Sequence, residues 1–265
     1  TFAMDTYADT DLSRFSLKLS KEKDQTDYKL EVMMHKAITI IQFKLEGQLI
    51  KRNPEFEMDD RLLLDKIDYI NNTVIINKKS YDMLDMDFPT VDKDDPYALS
   101  KEEEIVVEKI KHAFTHSEKL QRHIRFLYTK GSMYKIYNSN LLYHGCVPLD
   151  ENGEFKKVRI FGDDYSGKAL YDVLEHYARK GFFSKNPENK RKGEDILYYI
   201  WANPNSPVFG KDKMATFETY FVEDKEVRKE KKNKYYELLD DEKTVDKILK
   251  EFSLDPRYSH IINGH

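Results

Sequence analysis

The chain has 265 residues, 40% of them hydrophobic and 35% charged, with a net charge of −4 and a pI of about 6.1. It is long enough to bury a sizeable core in one large domain or two small ones, and its acidic balance excludes nucleic acid as the main partner. The longest apolar runs, such as Ala37–Ile41, are too short to span a membrane, and the single cysteine, Cys146, excludes an internal disulfide and points to a reducing compartment, the cytoplasm. No signal-peptide pattern opens the chain. Thr1-Phe2-Ala3-Met4 reads as mid-protein sequence, so a piece of a longer protein is expected.

Residues 1–28 are polar and mixed and predict loop with a short helix. Residues 29–52 have helical period, with Met34, Ile38, Ile41, Leu45 and Leu49 forming one apolar stripe, and Asn53-Pro54 ends the helix. Asp59-Asp60 predicts the cap of a short helix through Leu62–Leu64. Asn71-Asn72 predicts a turn between two short strands, and residues 87–98, with two prolines and four aspartates, read as loop. Ser100 and Glu103 form a capping-box pattern opening a long helix over 101–129, with Val106, Ile110, Phe114, Leu120, Ile124 and Leu127 on its buried side and Gly131 as its stop.

Two strand-like runs follow, joined at Asn138-Ser139-Asn140. Asp150–Gly153 is a turn before a strand-like run at 155–161, and 167–180 predicts a helix. Residues 184–193 read as a basic loop, Asp195–Trp201 as an apolar run, and 204–236 as irregular and rich in lysine and aromatics. Asp241 starts a last helix, and Asp255-Pro256 leads to a final strand in which Ile261-Ile262 reads as buried. The division expected is a helix-rich segment with a small hairpin over 1–131 and an α/β core over 132–265. The class is α/β or α+β.

Several patterns suggest chemistry. Gly162–Ala169 has the length of a phosphate-binding P-loop. However, Ala169 stands where a Ser or Thr should bind magnesium, and Asp163 and Asp164 put negative charge where phosphate would lie. It reads instead as a glycine-containing loop before a helix, whose N-terminus leaves Lys168 able to reach a phosphate. His112, His116 and His123 share a helical stripe, but Ala113 occupies the place of the glutamate that a zinc protease helix needs, so they read as solvated. Cys146 lies near His144 with no third group to orient a base, and reads as a small buried residue. Asp150–Gly153 lacks the rest of a calcium loop.

The pair Leu141–Pro148 and His260–His265 is more informative. In each, an apolar strand delivers a histidine at its C-terminal end beside a glycine, His144-Gly145 and Gly264-His265. Strand ends are where α/β sheets build their sites, and two such imidazoles can converge on one metal ion.

On these motifs, with residues 34–52, 68–85, 141–155, 167–175 and 200–221, the sequence resembles the class III fructose-1,6-bisphosphatases of the calcineurin-like metallophosphoesterase superfamily. The histidine motifs are shared across the superfamily, and Phe209–Phe221 is more specific to class III. The resemblance implies part of a metallophosphatase α/β sandwich with a helix-rich N-terminal segment. It also implies a two-metal centre, with manganese the metal, and hydrolysis of the 1-phosphate of fructose 1,6-bisphosphate in gluconeogenesis. His144 and His265 would each be a metal ligand. The remaining ligands belong to D-x-H, G-D-x-x-D-R-G and G-N-H-D motifs that this sequence does not contain, so a C-terminal piece, inactive alone, is the expectation. A bisphosphate substrate needs cations for its distal phosphate, and Lys211, Lys213, Arg228 and Lys168 are the candidates. Tyr137 and Trp201 are weaker candidates to line its pocket. A homo-oligomer is compatible with all of this. The alternative is a non-catalytic regulatory or anion-binding module of the same fold.

Overall fold

Residues 1–15 and 25–265 are described in this computed structural model. Residues 16–24, part of the stretch expected as loop, lie outside the described residues. The expected short helix is α1 (Phe2–Tyr7). The chain is mixed α/β, and divides into one unit of residues 1–118 with 215–229 and another of residues 119–214 with 230–265.

The first unit is organised by α2 (Gln25–Arg52). Its buried side differs from the expected stripe. Ile41 and Leu49 are buried, but Met34, Ile38 and Leu45 are exposed, and the core-facing row runs through Met33, Lys36, Ala37, Ile40 and Lys44. Both lysines are fully buried because carboxylates from later in the chain reach them. Lys36 Nζ lies 2.8 Å from Asp85 Oδ2, and Lys44 Nζ lies 2.7 Å from Glu103 Oε2.

The predicted cap at Asp59-Asp60 starts no α-helix. The segment forms 3₁₀ turns at Asp59–Arg61 and Leu64–Lys66. β1 (Ile67–Asp68), β2 (Thr73–Ile76) and β3 (Lys79–Asp82) follow as an antiparallel meander. The expected turn at Asn71-Asn72 is present, with Asn72 at φ 58°, and it joins β1 to β2.

The capping box at Ser100 is complete, with Ser100 accepting from the Glu103 N–H and Glu103 accepting from the Ser100 N–H. The single helix expected over 101–129 is two, α3 (Lys101–Thr115) and α4 (Glu118–Lys130). At the break the Thr115 hydroxyl bonds back to Lys111 O and Ser117, a preferred capping residue, precedes α4. Their apolar row is largely uncovered, since Ile110, Phe114 and Leu127 are exposed and α4 has no buried residue. Periodicity shows that a face is apolar, not that something covers it.

The second unit carries the hairpin β4 (Tyr134–Tyr137) and β5 (Asn140–Tyr143), turned at Asn138 and Ser139 with φ of 47° and 59°. Such a pair of positive φ values is what a tight two-residue hairpin turn requires. The run 155–161 contributes only β6 (Val158–Ile160), which pairs with β7 (Asp163–Tyr165) around Phe161-Gly162. Gly162 therefore sits in a hairpin turn and not in a phosphate loop.

α5 (Gly167–Phe183) packs on α6 (Pro187–Ala202). The expected basic loop at 184–193 is mostly helix, because Asn186 caps it through Glu188 and Asn189 N–H groups and Pro187 sits in the first turn, where it lacks no needed donor. The two helices approach at Gly181 and Gly193, where a Cβ on either would lie within about 2.5 Å of the other's Cα. Within residues 204–236, read as irregular, α7 (Thr216–Phe221) is a helix that belongs to the first unit. There its Phe217 and Phe221 are buried, with Phe221 4.8 Å from Phe88, and its Glu218 takes a two-pronged ion pair from Arg61 at 2.7 and 2.9 Å.

α8 (Glu242–Glu251) starts at the predicted cap Asp241, which accepts from the Thr244 N–H. β8 (His260–Asn263) then lies parallel to β5, completing the order β4-β5-β8. β8 is an edge strand, so Ile262 is 53% exposed, contrary to the buried reading. The core beneath this sheet holds Leu141, Tyr143, Cys146, Val147, Tyr171, Tyr235, Ile248 and Phe252. Among the described residues no helix is long and apolar enough to cross a membrane.

Candidate functional site

β5 alternates, with Leu141 and Tyr143 turned into the core. His144 is the next residue, at the C-terminal end of the strand. The parallel register pairs Tyr143 with Asn263, which sets Gly264-His265 directly alongside His144-Gly145. Two bonds hold the strand ends together. The Gly264 N–H donates to His144 O at 3.1 Å, and Asn263 Nδ2 donates to Gly145 O at 3.1 Å.

As a result, His265 Nδ1 and His144 Nε2 face each other at 3.1 Å, with the rings 5.0 Å apart and steeply inclined. Gly145 serves the approach of another segment. A Cβ there would lie 2.4 Å from Pro207 O, and the Cys146 N–H donates to that carbonyl at 2.9 Å. The loop at 203–209 is thereby fastened to the strand end that carries His144.

The pair suits a metal ion. Two imidazole nitrogens held about 2.1 Å from one ion, at angles from octahedral to tetrahedral, lie roughly 3.0–3.4 Å apart, and the observed separation falls in that range. Burial holds the His265 imidazole below its usual pKa, reinforced by His144, Lys211 and Lys232. The neutral ring that a metal ligand must be is therefore favoured. Among the described residues no group of three or more His, Cys, Asp or Glu could hold a metal ion.

Beside the pair lies a polar cleft of about 660 Å³, whose lining includes Lys156, Asn205, Lys211, Asp212, Lys231, Lys232 and Asn233. Its floor is a short ladder. Lys211 bridges Lys232 antiparallel, the Asp212 N–H donates to Lys231 O at 2.8 Å, and the Asn233 N–H donates to Gly210 O at 2.9 Å. Tyr236 connects cleft and pair, its ring 6.2 Å from His265 and 5.2 Å below Lys232 Nζ.

The cation candidates are dispersed. Lys211 lines the cleft with its ammonium 2.7 Å from Glu230 Oε2, and Lys213 is half-buried nearby in sequence. Lys168 lies 2.5 Å from Asp172 Oδ2, and its N–H donates at 3.0 Å to Glu251, whose carboxylate occupies the N-terminus of α5. Arg228 belongs to the first unit and donates to Val222 O and Glu223 O. Tyr137 and Trp201 are largely exposed and do not line the cleft. Lys232, Tyr236 and Asn233 were not singled out from the sequence. The only signal there was the density of lysine across 204–236, which does not say which lysines face one another.

The other motifs carry no chemistry. His112 and His116 are exposed, stacked at 3.8 Å, with His116 Nδ1 3.0 Å from His112 O at the end of α3. The Asp150 carboxylate accepts the Asn152 and Glu154 N–H groups at 2.9 Å, as a turn aspartate does. Cys146 is fully buried, and burial pushes its thiol up to about 12. Since the thiolate is the reactive form, Cys146 is expected to resist a thiol reagent at pH 8 in the folded chain and to react stoichiometrically in denaturant. Rapid native-state labelling would show the thiol to be accessible.

The sequence matches the family described as Firmicute fructose-1,6-bisphosphatase over residues 1–265. It is 53% identical over 267 aligned residues to the class 3 fructose-1,6-bisphosphatase of Clostridium botulinum (strain Kyoto / Type A2), covering 100% of this chain and 40% of that protein. The same identity and coverage relate it to the class 3 fructose-1,6-bisphosphatase of Clostridium novyi (strain NT). The chain thus spans about 40% of the length of these relatives. No solved structure matches it.

Proposed function

Because the chain belongs to the Firmicute fructose-1,6-bisphosphatase family, we propose that it contributes to a metal-dependent phosphatase that hydrolyses the 1-phosphate of fructose 1,6-bisphosphate, yielding fructose 6-phosphate and phosphate. The observation that carries this reading is the 3.1 Å convergence of His144 and His265 at the ends of two parallel strands. The finer assignments are a calcineurin-like sandwich, manganese as the metal, and the cytoplasm as the compartment. The remaining ligands are expected in the part of the relatives' length that this chain does not span.

A two-metal centre, when bound, supplies neutralisation of the phosphoryl oxygens and a water acidic enough to attack near neutral pH. The chain's own residues do the rest. His144 Nε2 and His265 Nδ1 supply two nitrogen donors, and the Asn263–Gly145 and Gly264–His144 bonds hold together the strand ends that carry them. Lys211 and Lys232 make the surroundings positive, which favours a phosphate dianion and disfavours protonation of His265. The test is phosphate release from fructose 1,6-bisphosphate by a protein of the relatives' length carrying this chain. Release is expected with manganese, to be lost on chelation, and to return when the metal is restored. Hydrolysis indifferent to chelation would refute the metal centre.

A further inference from the structure

β8 alternates as a half-buried strand should. Ile261 and Asn263 are half-buried on the side of α8, where Ile261 packs on the core, while His260 and Ile262 are exposed. Asn263 therefore stands where a second apolar side chain would suit the strand. Its surroundings are apolar as well, since it lines a recess of about 310 Å³ with Leu238, Val245, Ile248 and Ile261. Asparagine is disfavoured in strands, and an amide set among apolar groups costs free energy unless it is hydrogen-bonded. A residue that breaks the local rule in this way is expected to serve the site.

The amide is satisfied across the two strand ends. The register of β5 and β8 stops at the pair Tyr143 and Asn263. Beyond it the ends are joined by one backbone bond, Gly264 N–H to His144 O, and one side-chain bond, Asn263 Nδ2 to Gly145 O, each 3.1 Å. The backbone bond asks nothing of the side chains. The side-chain bond spans both histidines, because its donor lies two residues before His265 and its acceptor one residue after His144. Gly145 is also braced from the loop at 203–209. A Cβ there would lie 2.4 Å from Pro207 O and 2.8 Å from Val208 O. That loop is locked by Ser206, fully buried, whose hydroxyl donates to Ile200 O at 2.6 Å and accepts the Val208 N–H at 3.1 Å. Asn263 ties the end of β8 to this braced segment.

We propose that Asn263 is a positioning residue, whose amide, through Gly145 O, holds His265 at the spacing from His144 that one metal ion can bridge. The proposal rests on reading the histidine pair as metal donors of a phosphatase centre. Asn263 acts through the histidines and not on the ion. Without its bond, metal binding must itself order the end of β8, and that entropy is subtracted from the affinity. Groups that support ligands in this way contribute about 10–100-fold in metal affinity.

Asn263→Leu tests this, because leucine is close to asparagine in shape and suits the recess but cannot donate. In the protein of the relatives' length, the apparent dissociation constant for manganese, followed by the paramagnetic resonance of the free ion, is expected to rise about 10–100-fold. Raising manganese in proportion is expected to restore phosphate release, with KM for fructose 1,6-bisphosphate unchanged. A second readout needs no metal. In the 265-residue chain, nuclear Overhauser contacts between the ring protons of His144 and His265 are expected in the parent and lost in the variant. Manganese affinity equal to the parent's, or ring contacts that persist in the variant, overturns the proposal, and so does their absence from the parent. If the unsubstituted protein releases no phosphate, the phosphatase reading has failed, and the ring contacts decide the role of Asn263 alone. Unfolding temperatures within a few degrees of the parent establish that the loss is not one of folding. If leucine lowers them further, Asn263→Ala replaces it in both measurements.

Discussion

Replacing His144 or His265 by alanine, in the protein of the relatives' length, is expected to cut metal-dependent phosphate release by more than about 100-fold. That is the upper end of the cost of removing a group that merely supports a ligand, and a donor to the ion itself should exceed it. Both side chains are exposed, so stability should change by no more than about 0.5 kcal/mol, and the loss will not be one of folding. The double variant is expected to be scarcely worse than either single one, because donors to one ion act as a unit and their losses do not add. His123→Ala, an exposed histidine on α4, is expected to leave turnover unchanged. Activity in either single variant within a few-fold of the parent would remove the pair from the metal centre.

The second large effect concerns stability. Lys44 and Glu103 are both fully excluded from solvent, 2.7 Å apart. Lys44 Nζ also donates to Thr90 O at 2.6 Å, and Glu103 accepts from Thr90 Oγ1 and from the Ser100 N–H. Glu103→Ala leaves an ammonium in the core, takes the carboxylate acceptor from the Thr90 hydroxyl and the Ser100 N–H, and removes one of the two bonds of the capping box. A buried charge stripped of its partner costs about 3–5 kcal/mol, which should lower the unfolding temperature of the first unit by about 10 °C.

Lys44→Met alone strands the carboxylate and should cost a similar amount. Combining Lys44→Met with Glu103→Gln leaves no charge behind and keeps an acceptor for the Ser100 N–H. It is expected to recover at least half of the loss, since a buried pair is often replaceable by neutral groups of similar volume. Calorimetric unfolding of the four proteins checks this. Single variants as stable as the parent would show that water reaches the pair.

The two sets of substitutions act on different units, and the Phe209–Phe221 stretch is divided between the same two units. Phe209–Lys213 belongs to the unit with the histidines, whereas Ala215–Phe221 belongs to the other unit. Phe217 and Phe221 fill its core and Glu218 pairs with Arg61.

What was legible in the sequence was local. The capping box at Ser100, the Asn138-Ser139 turn, the Asp241 cap and the strand leading to His265 were each readable because a few adjacent residues satisfy their own backbone groups. The histidine pair was readable for a related reason. Two short motifs of one form, each ending a strand beside a glycine, implied one place in a sheet, and the parallel register of β5 and β8 is that place.

Tertiary structure decided what depends on partners distant in the chain. Lys36 and Lys44 mark a solvent face by composition, yet Asp85 and Glu103, 49 and 59 residues away, neutralise them and bring that face into the core. Met34, Ile38 and Leu45 were left outside in consequence. The cleft has the same origin. Lys156, Lys211 and Lys232 are widely separated in sequence, and only the ladder at Lys211–Lys232 and the Asn233 bonds to Leu149 and Tyr235 bring their charges to one recess. Short-range hydrogen bonds are written into neighbouring residues. The cost of burying a charge, and the field that several charges make together, are set only once the chain has closed on itself.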